Sequence, residues 1–179
     1  APSDPILLLG SGIVARRLGQ TDEAQTSFTR ALQVNPALTP ASLLLGMLLH
    51  ERGDLDGGIR VYEAALVRAP NDAQLRAHLD RWRREADLHS GFFQAGGGHF
   101  TVLFEGAAEE TIAKAAVEIL EDAYSRIGDA LLVYPAEPMT IVLYTRDQFR
   151  DITRSPAWAG GLFDGRIRIP VQGGLRDRR

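Results

Sequence analysis

The sequence contains no cysteine, which excludes disulfides, thiol catalysis and cysteine-ligated zinc. It contains four histidines: His50, His78, His89 and His99. No two of them lie four apart, the spacing that lets two imidazoles on one helix face share a metal. His50–Glu51 continues with Arg52, Gly53 and Asp54 rather than with a second histidine. Long apolar runs are also missing. No stretch reaches the roughly 18 residues needed to span a bilayer as a helix, and Ile6–Leu9 is too short and lacks the basic flank of a signal peptide. Lysine is nearly absent, with Lys114 alone against 19 arginines, a bias that reads as genome composition rather than function. The net charge of −3 argues against a general nucleic-acid partner, and the run Arg81, Arg83, Arg84 reads as a solvated helix face. No Ser–His–Asp arrangement is legible from local spacing.

What remains is an ordinary globular composition, 45% hydrophobic and 24% charged over 179 residues, enough for one or two domains. Within it, Leu8 to Pro70 is one module written twice. Gly12, Gly19, Ala24, Phe28, Ala31 and Pro36, each advanced by 34, become Gly46, Gly53, Gly58, Tyr62, Ala65 and Pro70. A period of this length marks a helix–turn–helix solenoid unit. Gly12 and Gly46 fall mid-way in the first helix of each unit, where a side chain would obstruct the partner helix. Ala24/Gly58 and Ala31/Ala65 keep the second helix thin, and Phe28 and Tyr62 fill the space left. Gly19 and Gly53 end the first helices in the left-handed conformation. Asp22 and Asp54 suit the positive start of the second helices, and Pro36 and Pro70 stop those helices.

The segment resembles the tetratricopeptide repeat (TPR). It departs from the pattern at its early aromatic, here Leu8 and Ser42, and at its later tyrosine, here Ala15 and Leu49. The expected helices run over about Ile6–Leu18, Thr21–Val34, Pro40–Arg52 and Leu55–Arg68. A fifth, about Ala73–Ser90, is capped by Asn71–Asp72. It carries Leu75, Leu79, Trp82 and Leu88 and closes the stack. The resemblance implies a face built from first helices that holds an extended peptide or a partner helix. Matched by repeat position, that face comprises Ile13, Arg16, Arg17, Met47, His50 and Glu51. On residues alone, His50 reads as a partly exposed histidine without a special role.

Gly96–Gly97–Gly98 reads as the centre of a linker over residues 92–98. It lacks the Lys-Ser/Thr that follows a phosphate-cradling loop. Beyond it the period changes from 3.6 to 2. Phe100, Val102 and Phe104 alternate with Thr101, Leu103 and Glu105 as a strand. Ala107–Leu132 reads as a helix with the apolar stripe Ile112, Ala116, Ile119, Leu120, Ala123, Ile127 and Leu131, with Gly128 as a break or end. Glu109 and Glu110 suit its first turn. Met139–Tyr144 is apolar on both faces and therefore internal to a sheet. Thr145-x-x-Gln148 is a capping box opening a short helix that carries Asp147, Phe149, Asp151 and Ile152. Asp164–Gly165 signals a two-residue hairpin; Ile167, Ile169 and Val171 face one way and Arg166 and Arg168 the other. Gly160–Gly161 suggests a bulge or a close backbone approach. The pairs Glu109–Glu110 and Asp147/Asp151 are better explained by the helix dipole and a solvated face than as catalytic carboxylates.

This half also carries His99-Phe-Thr-Val-Leu-Phe-Glu105, Ala123-Tyr124 with Ile127-Gly128, Ile141-Val142-Leu143-Tyr144 with Phe149, and Gly161-Leu-Phe-Asp-Gly165 leading to Ile167-Arg-Ile-Pro170. In that order and spacing it resembles the N-terminal part of a gluzincin-like (MA-clan) zinc metallopeptidase domain. That family's His-Glu-x-x-His helix would follow the hairpin and is not in the chain. The resemblance therefore assigns no catalytic, cofactor or metal residue here, and zinc belongs only to a longer parent protein. It implies a substrate-edge strand over Gly160, Gly161, Ile167 and Ile169, and a bacterial origin. Lack of cysteine fits a periplasmic or secreted setting and the cytoplasm equally. Both ends, Ala1 and Arg178–Arg179, read as cuts within a longer protein or as processed ends.

The expectation is thus a mainly α chain. Residues 1–91 form a two-repeat α-helical TPR solenoid with a capping helix, 92–98 a Gly-rich linker and 99–179 an incomplete α+β domain. The expected function is non-catalytic protein–protein or interdomain scaffolding. The alternatives are the regulatory and substrate-edge portion of a longer zinc-dependent peptidase, or a degenerate metal-free relative of one that keeps its sheet for binding. The expected partner is a protein or peptide, the chain's own downstream domain, or a second copy meeting it through exposed apolar surface.

Overall fold

A computed structural model describes residues 4–106, 110–135 and 138–171. The chain divides into two compact units, Ala1–Ala86 and Asp87–Arg179. Glu109 lies outside the described residues.

The first unit is a run of antiparallel helices: α1 (Pro5–Arg17), α2 (Thr21–Val34), α3 (Thr39–Glu51), α4 (Leu55–Arg68) and most of α5 (Ala73–His89). Three of the starts and two of the stops have a local cause in a single side chain or glycine. The carboxylates of Asp4, Asp54 and Asp72 accept backbone N–H groups of Ile6, Gly57 and Leu75 at 2.7, 2.8 and 2.9 Å, satisfying donors that the first helical turn leaves over. Gly19 and Gly53 leave the first helices at φ +75° and +86°, where any side chain would be strained.

The small residues of the repeat work in matched pairs. A Cβ on Gly12 would sit 2.5 Å from the Phe28 ring, and one on Gly46 would collide with the Tyr62 ring. Ala24, Phe28, Ala31 and Tyr62 are fully buried. Leu45, Leu48 and Leu49 of α3 pack with Ala15, Ala24 and Phe28. Leu75, Leu79 and Trp82 of α5 pack with Leu55, Tyr62 and Ala65. The repeating unit is therefore a thin helix crossing filled by one aromatic ring.

The second unit is a five-stranded mixed sheet of order β1-β2-β3-β5-β4. The strands are β1 (Phe92–Gly96), β2 (Phe100–Glu105), β3 (Met139–Tyr144), β4 (Leu162–Phe163) and β5 (Ile167–Pro170). β2, β3 and β5 are parallel, while β1 and β4 are antiparallel to their neighbours. Parallel neighbours need crossovers. Helix α6 (Glu110–Leu131) lies in the first connection and α7 (Arg146–Thr153) in the second. One sheet face, carrying Phe100, Val102, Phe104, Ile141 and Leu143, packs on Ala113 and Val117 of α6. The other carries Val142 and Tyr144 and packs on Phe149 and Ile152 of α7, with Leu88, Phe92 and Leu162. β3 is therefore covered on both faces, as its unbroken apolar run requires. The expected capping box is present: Gln148 N–H donates to Thr145 Oγ1, and Thr145 N–H to Gln148 Oε1.

Four expectations need correction. The Gly-rich stretch is not a linker. Phe92–Gly96 pairs with Thr101–Glu105, and Gly97 N–H donates to Phe100 C=O at 2.9 Å to close a hairpin. Gly97 is there for space, since a Cβ on it would lie 2.7 Å from Val117. Composition alone does not separate a tight turn from a flexible connector.

The turn at Asp164–Gly165 has three residues, because Phe163 pairs with Ile167; Gly165 takes φ +94° within it. The stripe on α6 is also displaced. Ile112, Ala116 and Leu120 do pack on the core, but Ile119, Ile127 and Leu131 are exposed. The helix is rolled so that Ala113 and Val117 face the sheet. Gly128 neither breaks nor ends α6; it leaves room for the ring of Tyr134, and the helix ends where Leu132 turns left-handed at φ +53°.

Candidate partner-binding face

The six residues assigned to the first-helix face come from α1 and α3, and the structure sorts them into different roles. Ile13 and Arg17 are exposed and Met47 is half-buried. Arg16 and Glu51 bond to each other, Nη2 to Oε1, at 2.5 Å. His50 is buried, its Nε2 3.2 Å from Oε2 of Glu85. It is therefore a structural residue rather than a partly exposed one.

The two bonds are the same bond. Advancing Arg16 and Glu51 by 34 gives His50 and Glu85. A basic or imidazole group on one first helix reaches a carboxylate on the next, and the register repeats with the fold. The sequence held the signal: base at 16 and 50, acid at 51 and 85. It becomes meaningful only once successive first helices are known to lie side by side.

The second rung is embedded in an aromatic stack. The His50 ring lies 4.9 Å from Trp82 at an interplanar angle of 7°. Tyr62 lies 4.5 Å from the other member of the stack, Trp82, and its hydroxyl donates to Leu43 C=O at 3.0 Å. Burial pushes the Tyr62 phenol well above its ordinary range, with Arg81 pulling the other way. His78 meets Tyr62 edge-on at 6.0 Å, and its Nδ1 lies 2.8 Å from Arg81 Nη2. Burial, then the charge of Arg81 and the neighbouring His50, hold the His78 imidazole below its ordinary value. The Arg81 guanidinium can only donate, so Nδ1 accepts from it, and this agrees with the low pKa because the accepting ring is the neutral one.

The second unit offers two further polar constellations. His99 is tied to Glu121 twice, through its backbone N–H and its Nδ1, both at 2.7 Å, and stacks on Tyr124 at 3.8 Å. These bonds hold the Glu121 carboxyl below its usual range. His89 Nε2, Tyr144 Oη and Arg168 Nη1 form a chain with steps of 2.7 and 2.8 Å, and Arg168 Nε donates to Asp164 at 2.9 Å. Arg168 is 1% exposed. The sequence placed this arginine on the sheet face opposite Ile167 but gave no sign that the face is covered.

Neither constellation gathers a metal site: among the described residues no group of three or more His, Asp or Glu side chains could hold an ion. Glu110 bonds to Lys114 at 2.6 Å, which lowers its pKa. Asp147 lies 3.8 Å from Arg150. At the expected substrate edge, Gly161 approaches the Arg168 carbonyl so closely that a Cβ would lie 3.3 Å from it. Ile167 and Ile169 pack against the sheet core. No helix of the described residues is long and apolar enough to cross a membrane.

Residues 9–73 match the family model for the tetratricopeptide repeat. The comparison with curated proteins gave no match. Tetratricopeptide repeats generally mediate protein–protein interaction.

Proposed function

We propose that the chain is a non-catalytic scaffolding module whose repeats hold an extended peptide or partner helix on the first-helix face. The observation that carries this reading is the repeated rung Arg16–Glu51 and His50–Glu85. It sets three successive first helices in one register, so that their faces line up as one surface, which reduces the ordering cost of binding. Of the six residues assigned from the sequence, Ile13, Arg17 and Met47 meet the partner, while Arg16, Glu51 and His50 hold the helices in register. Arg84, the third-helix equivalent of Arg16, is exposed. With the Arg16 charge balanced by Glu51, Arg17 and Arg84 leave the face positive, so the partner is acidic. Two repeats and a closing helix make a small interface of modest affinity.

Panning a random-peptide phage library on the whole chain tests this. Enriched peptides are expected to carry Asp or Glu and to lose about tenfold in affinity, ~1.4 kcal/mol, against Arg17→Glu and Met47→Glu. Peptides that bind both variants as they bind the native chain would remove this face from consideration.

The alternative is that the chain is the regulatory and substrate-edge part of a longer zinc-dependent peptidase. Its support is the order strand, helix, strand, helix, hairpin, with the hairpin strand β4 at a sheet edge. The gene beyond codon 179 decides it: a His-Glu-x-x-His codon run shortly downstream supports the reading, and its absence ends it.

A further inference from the structure

The two edges of the sheet are unlike. β4 is two residues long, too short to template another chain. β1 is five residues, Phe-Phe-Gln-Ala-Gly. It has no charge and no proline, two of the devices that normally blunt an exposed edge. Among the described residues it pairs with β2 alone.

Among the described residues no strand pairs with the outer side of β1. Gly97 N–H bonds to Phe100 C=O, so the Gly97–Phe100 pair is a hydrogen-bonded one. Antiparallel pairs alternate. Ala95 and Phe93 therefore bond inward to Val102 and Phe104, their partners in the register. Phe92, Gln94 and Gly96 turn their N–H and C=O groups outward.

Beside this edge runs a groove of about 460 Å³. Its floor is Phe93, Ala95 and Phe104. Its wall is one stripe of α6, formed by Glu110, Lys114, Val117 and Glu118. Phe93 stands 56% exposed at the rim, stacked on Phe104 at 6.0 Å. A strand added about 4.8 Å outside β1 would send every second side chain into this groove and the others to solvent.

We propose that the β1 edge is a docking site for an extended peptide of a partner protein, which joins the sheet as a sixth strand. Main-chain bonds to Phe92, Gln94 and Gly96 hold it, and alternate apolar side chains seat on Phe93 and Val117. The charges of the wall fix one further feature. Lys114 is engaged by Glu110 at 2.6 Å, which leaves the Glu118 carboxylate as the net charge of the groove, so the peptide carries a basic residue opposite it. A second copy of this chain is a poorer fit, because β1 brings no cation to Glu118.

The test is a fluorescein-labelled peptide alternating valine and threonine around one arginine, titrated with the whole chain and read by anisotropy. A second peptide has the same sequence with alternate amides N-methylated. Saturable binding of the first is expected, with about tenfold weaker binding of the second. Gln94→Pro removes an outward donor without removing a ladder bond, a substitution that edge strands accept. Glu118→Arg reverses the groove charge. Each is expected to weaken binding about tenfold while the far-UV melting curve stays in place, and the Gln94 and Gly96 amide resonances of the native chain should shift on titration. Absence of saturable binding, or equal affinity for both peptides and both variants, overturns the proposal. So does a native dimer, seen by light scattering, that Gln94→Pro converts to a monomer, since the edge would then belong to a second copy.

Discussion

The two rungs between first helices occupy one place in the repeat and differ in almost everything else. Arg16–Glu51 leaves about a third of each side chain in water, at 30% and 35% exposed. His50–Glu85 leaves 10% and 2% and lies against the Trp82 ring. Repeat position dictates which residues meet; the next helix in the stack dictates how much the meeting is worth. A half-solvated ion pair contributes little, because water serves both charges nearly as well. A buried pair is different in kind. Its net worth is small, but removing one member takes from the other, held out of water, the bond the two share.

The largest effect should come from breaking the buried rung. Glu85→Ala is expected to cost about 3 kcal/mol, measured by urea unfolding of the first unit. The double change His50→Leu with Glu85→Met should recover most of that loss, since apolar residues of similar size replace a buried pair at little cost. If the double variant is as unstable as Glu85→Ala, the pair holds the stack by a specific geometry that packing does not replace.

Next comes the exposed rung. Arg16→Ala is expected to cost less than about 1 kcal/mol and to lose even that in high salt. A cost equal to that of Glu85→Ala would show that burial is not what separates the two rungs.

The smallest effect is a slope. The folded His78 pKa lies below its ordinary value of 6.5, so the unfolded chain binds the proton more tightly. Its contribution is therefore complete above 6.5 and fades as pH falls through the folded value. Stability measured between pH 7 and 5 should fall less steeply in His78→Gln than in the native chain. An unchanged slope would mean that the fold does not hold the His78 imidazole below its unfolded value.

Much of the first unit is legible in the sequence. The period of 34 placed α2 and α4 at their observed ends, paired Gly12 with Phe28 and Gly46 with Tyr62, and marked Gly19 and Gly53 as turns. Repetition supplies its own check, because a residue needed for packing is needed twice. The rungs recur at the same period, but charge at a helix surface looks alike in sequence whether solvated or paired. His50 shows the same limit. Its neighbours in the chain do not say that Trp82, two helices on, will cover it.

In the second unit the reading was local and its errors were local. The capping box at Thr145, the internal strand β3 and the small-residue approach at Gly161 were legible because each follows from a few adjacent residues. β1 was lost in the glycines that follow it, and the burial of Arg168 left no trace. Whether a strand has a neighbour, and whether a face has a cover, depends on residues far along the chain.

The sequence by itself determined, to within a residue, where the helices of the first unit begin and end, which crossings must be thin, and that the chain is mainly α with repeats first and a sheet after them. Those features follow from backbone sterics, capping and periodicity, which act within a few residues or recur at a fixed interval. Only the tertiary structure decided that His50 and Glu85 are buried while Arg16 and Glu51 are not, that α6 is rolled onto Val117, and that β1 stands at an edge of the sheet beside Glu118. Those outcomes turn on which surfaces exclude water from one another, and exclusion of water is a property of surfaces brought together from distant parts of the chain.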